Sequence, residues 1–189
     1  AIKKSVTNAI ELDDENVLVV GNLGNGSFKL DNGSTIGKIG GIILNIHKED
    51  IPEGLITKAI SYGTNKKDYF FSLMQTSDSG YLVGGSYDGN TGVIIKYDKN
   101  FQIEWSVDKG ESIEHLIEIE DGYMAISYDG YIYKLSFDGS EVWKKHINAQ
   151  LCSITYTKDK GFIVIGYFTD KTLNIDGYNK IYRLMCNQL

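Results

Sequence analysis

Among the 19 basic residues of this sequence there is a single arginine, Arg183, and the formal net charge is -6. No broad face of guanidinium forks for phosphates can be built from that, and the overall field steers nucleic acid away. Only two cysteines occur, Cys152 and Cys186, too few for a disulfide scaffold. The strand pattern set out below places them in the first and third strands of one sheet, roughly 9 to 10 Å apart at ordinary strand spacing, whereas a disulfide tolerates Cα separations of up to about 7 Å. Two free thiols are expected. No apolar run approaches the roughly 20 residues of a membrane span, and the opening AIKKSVTNAI has no signal-peptide core. Membrane insertion is not expected. Proline is nearly absent, with Pro52 alone, while glycine (21) and tyrosine (13) are plentiful, a composition suited to strands joined by tight turns. With 189 residues the chain can bury a sizeable core without staples.

What is present is a repeat. SDSGYLVGGSYDGNTGVIIKYDKNFQIEW (77–105) reads as a polar turn, an apolar strand, a tight turn, a second apolar strand and the entry to a further strand. Its apolar strand, YLVGG from Tyr81, has counterparts in VLVVG from Val17, YMAIS from Tyr123 and FIVIG from Phe162. Each is nearly continuous in apolar character, as in a strand covered on both faces. A first strand precedes each turn: AIEL (9–12), LMQT (73–76), LIEI (116–119) and SITY (153–156). Third strands follow from Ile42, Val93, Tyr133 and Ile181. Fourth strands follow in three copies (54–62, 103–107 and 142–147), and the last copy lacks one.

Four copies of about four antiparallel strands predict an all-β fold, a β-propeller with one blade per copy. The expected organisation is one domain over 1–189, with blades at approximately 7–62, 67–107, 113–147 and 151–189 plus 1–6. In that reading the segment 2–6 supplies the missing strand of the last blade and closes the ring, which removes both open edges. A closed ring predicts a monomer; a ring shared between chains predicts a dimer.

Two endings, KYDKNFQIEW (96–105) and SFDGSEVW (136–143), resemble the Asp, turn, Trp endings of PQQ-like bacterial β-propeller repeats. The resemblance implies the fold, and it implies that Trp105 and Trp143 dock between blades; it implies no activity and no quinone ligand set. It also points to an extracellular or cell-surface setting. No cofactor is expected.

In a propeller the loops joining second to third strands share one end of the ring with the links between blades. Two of these loops are long: 22–40 in the first copy and 167–179 in the last, the latter ending in an Asp-Gly turn signal. In a closed ring they stand side by side. The candidate ligand-binding rim comprises Phe28, Asp31, Asn32, Tyr87, Asp88, Tyr128, Asp129, Tyr167, Phe168, Asp170, Asp176 and Tyr178. Aromatic rings beside carboxylates and amides fit a glycan, a peptide or a protein surface. A second candidate is a ring of polar groups in the central channel, from one register of the first strands: Glu11, Gln75, Glu118 and Thr155. Two carboxylates there define an alternative reading as a hydrolase. His47, His115 and His146 fall in different copies without metal-ligand spacing, and no metal is expected. The favoured expectation is a non-enzymatic binding module.

Overall fold

The computed structural model describes residues 4–12, 15–23, 27–29, 35–37, 40–50, 56, 58–62, 68–88, 90–158, 161–167 and 180–184. The first sheet is built from β1 (Lys4–Glu11), β2 (Asn16–Leu23), β5 (Gly40–His47) and β6 (Lys58–Tyr62), with the small hairpin β3 (Ser27–Lys29) and β4 (Thr35–Gly37) inserted between β2 and β5. The second is β7 (Tyr69–Gln75), β8 (Tyr81–Tyr87), β9 (Thr91–Tyr97) and β10 (Ile103–Lys109). The third is β11 (Ile113–Ile119), β12 (Gly122–Ser127), β13 (Tyr131–Leu135) and β14 (Glu141–His146). Among the described residues the fourth has three strands, β15 (Gln150–Tyr156), β16 (Phe162–Tyr167) and β17 (Lys180–Leu184). All pairings are antiparallel, in sequence order within each sheet.

The apolar runs are the second and third strands, and the structure shows why they carry no polar face. Residues of β8 and β9 point alternately at the sheets before and after them, and both sides are covered. Leu18, Val20 and Ile43 of the first sheet meet Phe70, Leu73, Val83 and Ile95 of the second. Leu82 and Ile94 of the second meet Ile113, Leu116, Tyr123 and Ala125 of the third. Met124, Ile126 and Ile132 of the third meet Leu151, Ile154, Phe162 and Val164 of the fourth. The core is therefore three layers between four sheets. The outer strands β10 and β14 are largely exposed and more polar.

The first strands β1, β7, β11 and β15 lie side by side as the inner edge. Each carries one bulge near its start, between Val6 and Asn8, Phe70 and Ser72, Ile113 and His115, and Leu151 and Ser153. The bulge adds twist at the same place in every repeat.

Trp105 of β10 reaches across to the third sheet. Its Nε1 donates to the carbonyl of Phe137 at 3.0 Å, and its ring lies 6.0 Å from that of Tyr123. Gly139 sits beneath the indole: its φ is 83°, and a Cβ there would stand 2.8 Å from the ring. Only glycine meets both demands.

The expected closure by the N-terminal segment is corrected. Residues Lys4, Ser5 and Val6 continue β1 and pair with Leu23, Asn22 and Gly21 of β2. The end of β2 needs hydrogen-bond partners, and the adjoining chain supplies them within its own sheet. Among the described residues β17 pairs with β16, and β1 does not pack on β15 as the other neighbouring inner strands pack on one another.

Candidate functional site

One end of the assembly gathers the turns between second and third strands and the links between sheets. Here the Asp88 N–H donates to the Asp68 carboxylate at 2.8 Å, and Asp68 is buried. Asp88 itself takes a φ of 54°, a conformation aspartate tolerates better than most side chains. The Tyr87 hydroxyl donates to Asp108 Oδ2 at 2.7 Å. In the next repeat Ser127 Oγ donates to Asp129 Oδ1 and receives the N–H of Tyr131 at 3.1 Å. His146 Nε2 lies 3.0 Å from the Asp129 carbonyl, with its ring 4.6 Å from Tyr131. Burial, and then the Asp129 charge, push the Tyr133 hydroxyl up to about 12. The rim acids Asp68, Asp108 and Asp129 are thus engaged in holding turns.

What stands out from this framework is a pair of rings. Ile126 and Ile165 occupy one register position, and the residues two places further along are Tyr128 and Tyr167. Tyr128 is 43% exposed and Tyr167 52% exposed. Tyr87 falls one place later in its own repeat, which is why it turns to Asp108 and is half-buried. Of the remaining rim residues, Phe28 lies in β3 with its side chain outside the described residues, and Asp31, Asn32, Phe168, Asp170, Asp176 and Tyr178 lie outside them altogether. The first long loop carries a hairpin of its own, β3 and β4.

Near the same end lie two bulge residues of neighbouring inner strands, Glu114 and Cys152. Burial raises the Glu114 carboxyl against the opposing effect of the Ser112 hydroxyl bond, 2.7 Å away. The Cys152 thiol is raised by burial and then by Glu114. A thiol so held is a poor nucleophile.

The channel register comes out differently from the expectation. Side chains of an inner strand point to the two faces of their sheet rather than along it towards the axis. Glu118 accordingly turns to the preceding sheet, where its carboxylate accepts the Ser77 N–H at 2.8 Å and the Ser77 hydroxyl at 2.5 Å. Glu11 pairs with Lys48, whose hydrogen bond and charge lower its pKa. Thr155 is out of register: Glu11, Gln75 and Glu118 pair with Val17, Tyr81 and Tyr123, but the partner of Phe162 is Tyr156. One residue of slip in a period of two puts Thr155 on the opposite face. The Glu11 carboxyl, lowered by Lys48, lacks the raised pKa that a general acid requires.

Sequence reasoning missed a buried cation. Lys96 Nζ sits between Asp78 Oδ2 and Glu104 Oε2, each at 2.8 Å, with its side chain 2% exposed. Burial alone would lower the lysine pKa; the bonds to Asp78 and Glu104 outweigh it and raise it. Lys134 meets Asp121 at 2.7 Å in the next repeat. The signal was legible: Lys96, Lys134 and Arg183 pair with Leu82, Met124 and Ile163, one position in three repeats.

Twisted antiparallel sheets set around an axis by their inner strands define a β-propeller, and this chain contributes four blades. No protein-family model matches the sequence, and no curated protein matches it. Solved structures do. A protein of unknown function from Bacteroides caccae is 8% identical over 97% of this chain and 61% of its own, with a TM-score of 0.57. Sqt1 from Saccharomyces cerevisiae is 14% identical over 87% of this chain and 43% of its own, at 0.59. The WD40 β-propeller domain of Doa1 is 18% identical over 89% and 52%, at 0.58. At such identities the likeness is one of fold. The chain spans about half the length of the structures it matches.

Proposed function

We propose that the chain is a non-enzymatic binding module that grips a peptide or protein segment at the loop end of its blades, with Tyr128 and Tyr167 as anchors. The observation that supports it is the repetition of an exposed tyrosine at one register position in adjacent blades. Exposed tyrosine offers a large apolar surface and one hydroxyl at low entropic cost, which is why such rings serve as binding anchors. A peptide fits better than a glycan. Sugar recognition needs directional acceptors beside the ring, and Asp68, Asp108 and Asp129 already accept bonds from the protein. The docking of Trp105 on the third blade supports the kinship with PQQ-like repeats as an architectural one.

The test is a peptide and glycan array probed with the wild-type chain, Tyr128→Ala, Tyr167→Ala, and Phe137→Ala as a control at the opposite end. Each tyrosine variant is expected to lose about tenfold or more in affinity for the captured peptides, with Phe137→Ala unchanged. Equal binding by all four proteins removes the rim as the site.

A further inference from the structure

Among the described residues the outer faces of the first and last blades are exposed, and they are complementary. Val6 pairs with Gly21 in β1, as Phe70 pairs with Gly85, Ile113 with Ser127 and Leu151 with Gly166. Those three apolar side chains pack on the preceding blade and are 1%, 0% and 2% exposed, while Val6 is 68% exposed. Ala9, at the place of the buried Leu73, Leu116 and Ile154, is also exposed, and Val17, Leu44 and Ile46 on the same face are half-buried. At the other end Ile165 holds the register of Ile126, which is 0% exposed beneath the fourth blade; Ile165 is 38% exposed. In the second blade the same position is Gly84, where a Cβ would strike Ile113 and Leu116 of the following blade. The leading face of blade four thus has the character of an internal blade junction, and so does the trailing face of blade one.

We infer that these faces are covered by a second copy of this chain, blade four of each copy seated on blade one of the other, so that two chains close one ring of eight blades. Eight is within the usual range for propellers, and a head-to-tail contact used twice closes with two-fold symmetry. Four consecutive blades match the fold of structures of which they cover only 43% to 61%, so a ring of that kind holds more blades than these four. The polar contacts of the internal junctions also continue. Ser77 of one blade's turn bonds Glu118 of the next; the equivalent pair at the open junction is Lys158, one place past Thr157, and Glu11, a second cation for a carboxylate that Lys48 already meets within its own blade. Ser72 Oγ accepts the Leu116 N–H, and His115 Nδ1 stands 3.1 Å from the Ile154 N. Ser153 occupies the same place, and Ala9 of the second copy, an exposed residue, holds the position of Leu116 and Ile154.

The experiment is light scattering and sedimentation on the chain from micromolar to hundreds of micromolar concentration. Twice the chain mass is expected. Ile165→Glu buries a carboxylate in the junction and is expected to weaken the dimer about a hundredfold or more, and the exposed Lys158→Glu about tenfold. Adding Glu11→Lys to Lys158→Glu restores association. A single-chain mass at every concentration overturns the inference. So does a dimer that both Ile165→Glu and Lys158→Glu leave intact, because the contact then lies elsewhere.

Discussion

Lys96 allows the clearest energetic test of how the blades are held. Its side chain is 2% exposed, whereas those of its partners Asp78 and Glu104 are 56% and 45% exposed. The asymmetry decides which deletion hurts. Replacing the lysine with Met leaves two carboxylates that water can reach, and the removed desolvation cost offsets the lost bonds, so Lys96→Met is expected to cost about 0 to 1 kcal/mol. Asp78→Asn leaves the cation with Glu104 and the Tyr97 carbonyl, 3.2 Å away, and is expected to cost about 1 to 2 kcal/mol. Removing both acids strands a buried charge, and Asp78→Asn with Glu104→Gln is expected to cost about 3 to 5 kcal/mol. Adding Lys96→Met to that double variant should recover about 2 kcal/mol or more, since the stranded charge is gone. Urea unfolding at neutral pH reads each as a midpoint shift at constant slope. If Lys96→Met costs more than the double acid variant, the reasoning from exposure is wrong. Acid supplies a second reading. Burial pushes the Asp78 carboxyl up, but bonds from Lys96, Thr76 and Gly80 outweigh it and hold it at about 2. A depressed carboxyl contributes above its unfolded value near 3.9 and loses that contribution as the pH falls through about 2. For so exposed a group the screened contribution is on the order of 1 kcal/mol, and Asp78→Asn should abolish it.

The blade pattern was legible because a strand covered on both faces must be apolar throughout, and four such strands recur with turns at fixed offsets. The loop-end turns were legible too, since Asp-Gly pairs announce them. Register was less so: LMQT and SITY look interchangeable, but LMQT ends in the turn residue Thr76 whereas SITY stops one short of the matching Thr157, so the place of Gln75 falls to Tyr156 and not to Thr155. Periodicity fixes which residues alternate and leaves open where a bulge or turn starts the count. The first strand misled for a related reason. KSV at 4–6 alternates like any edge strand, and nothing local distinguishes pairing with β2 from pairing with a distant blade. Asp88 and Asp129 read as ligand residues because aspartate in a turn and aspartate in a site share one sequence. The bond that Asp129 accepts from Ser127, and the left-handed φ of Asp88 with its N–H on Asp68, show the turn role.

Gly139→Val should destabilise by about 2 to 3 kcal/mol, combining a strained φ of 83° with a collision against the Trp105 ring; thermal unfolding compared with Trp105→Ala, itself expected to cost about 2 to 4 kcal/mol, checks that the two changes damage one contact and do not add. His115 predicts a milder acid transition than Asp78 does. Burial lowers its pKa, against the opposing backbone contact with Ile154. The folded protein therefore holds a neutral imidazole where the unfolded chain, with a pKa near 6.5, binds a proton. Unfolded molecules bind more protons below that value, so stability is complete above about 6.5 and declines as the pH falls through the lowered folded pKa. His115→Asn keeps an acceptor for the Ile154 N–H and cannot titrate. Wild type should lose urea midpoint between pH 7.5 and 5.5 while His115→Asn holds its own, and equal losses in the two proteins would assign the transition to another group.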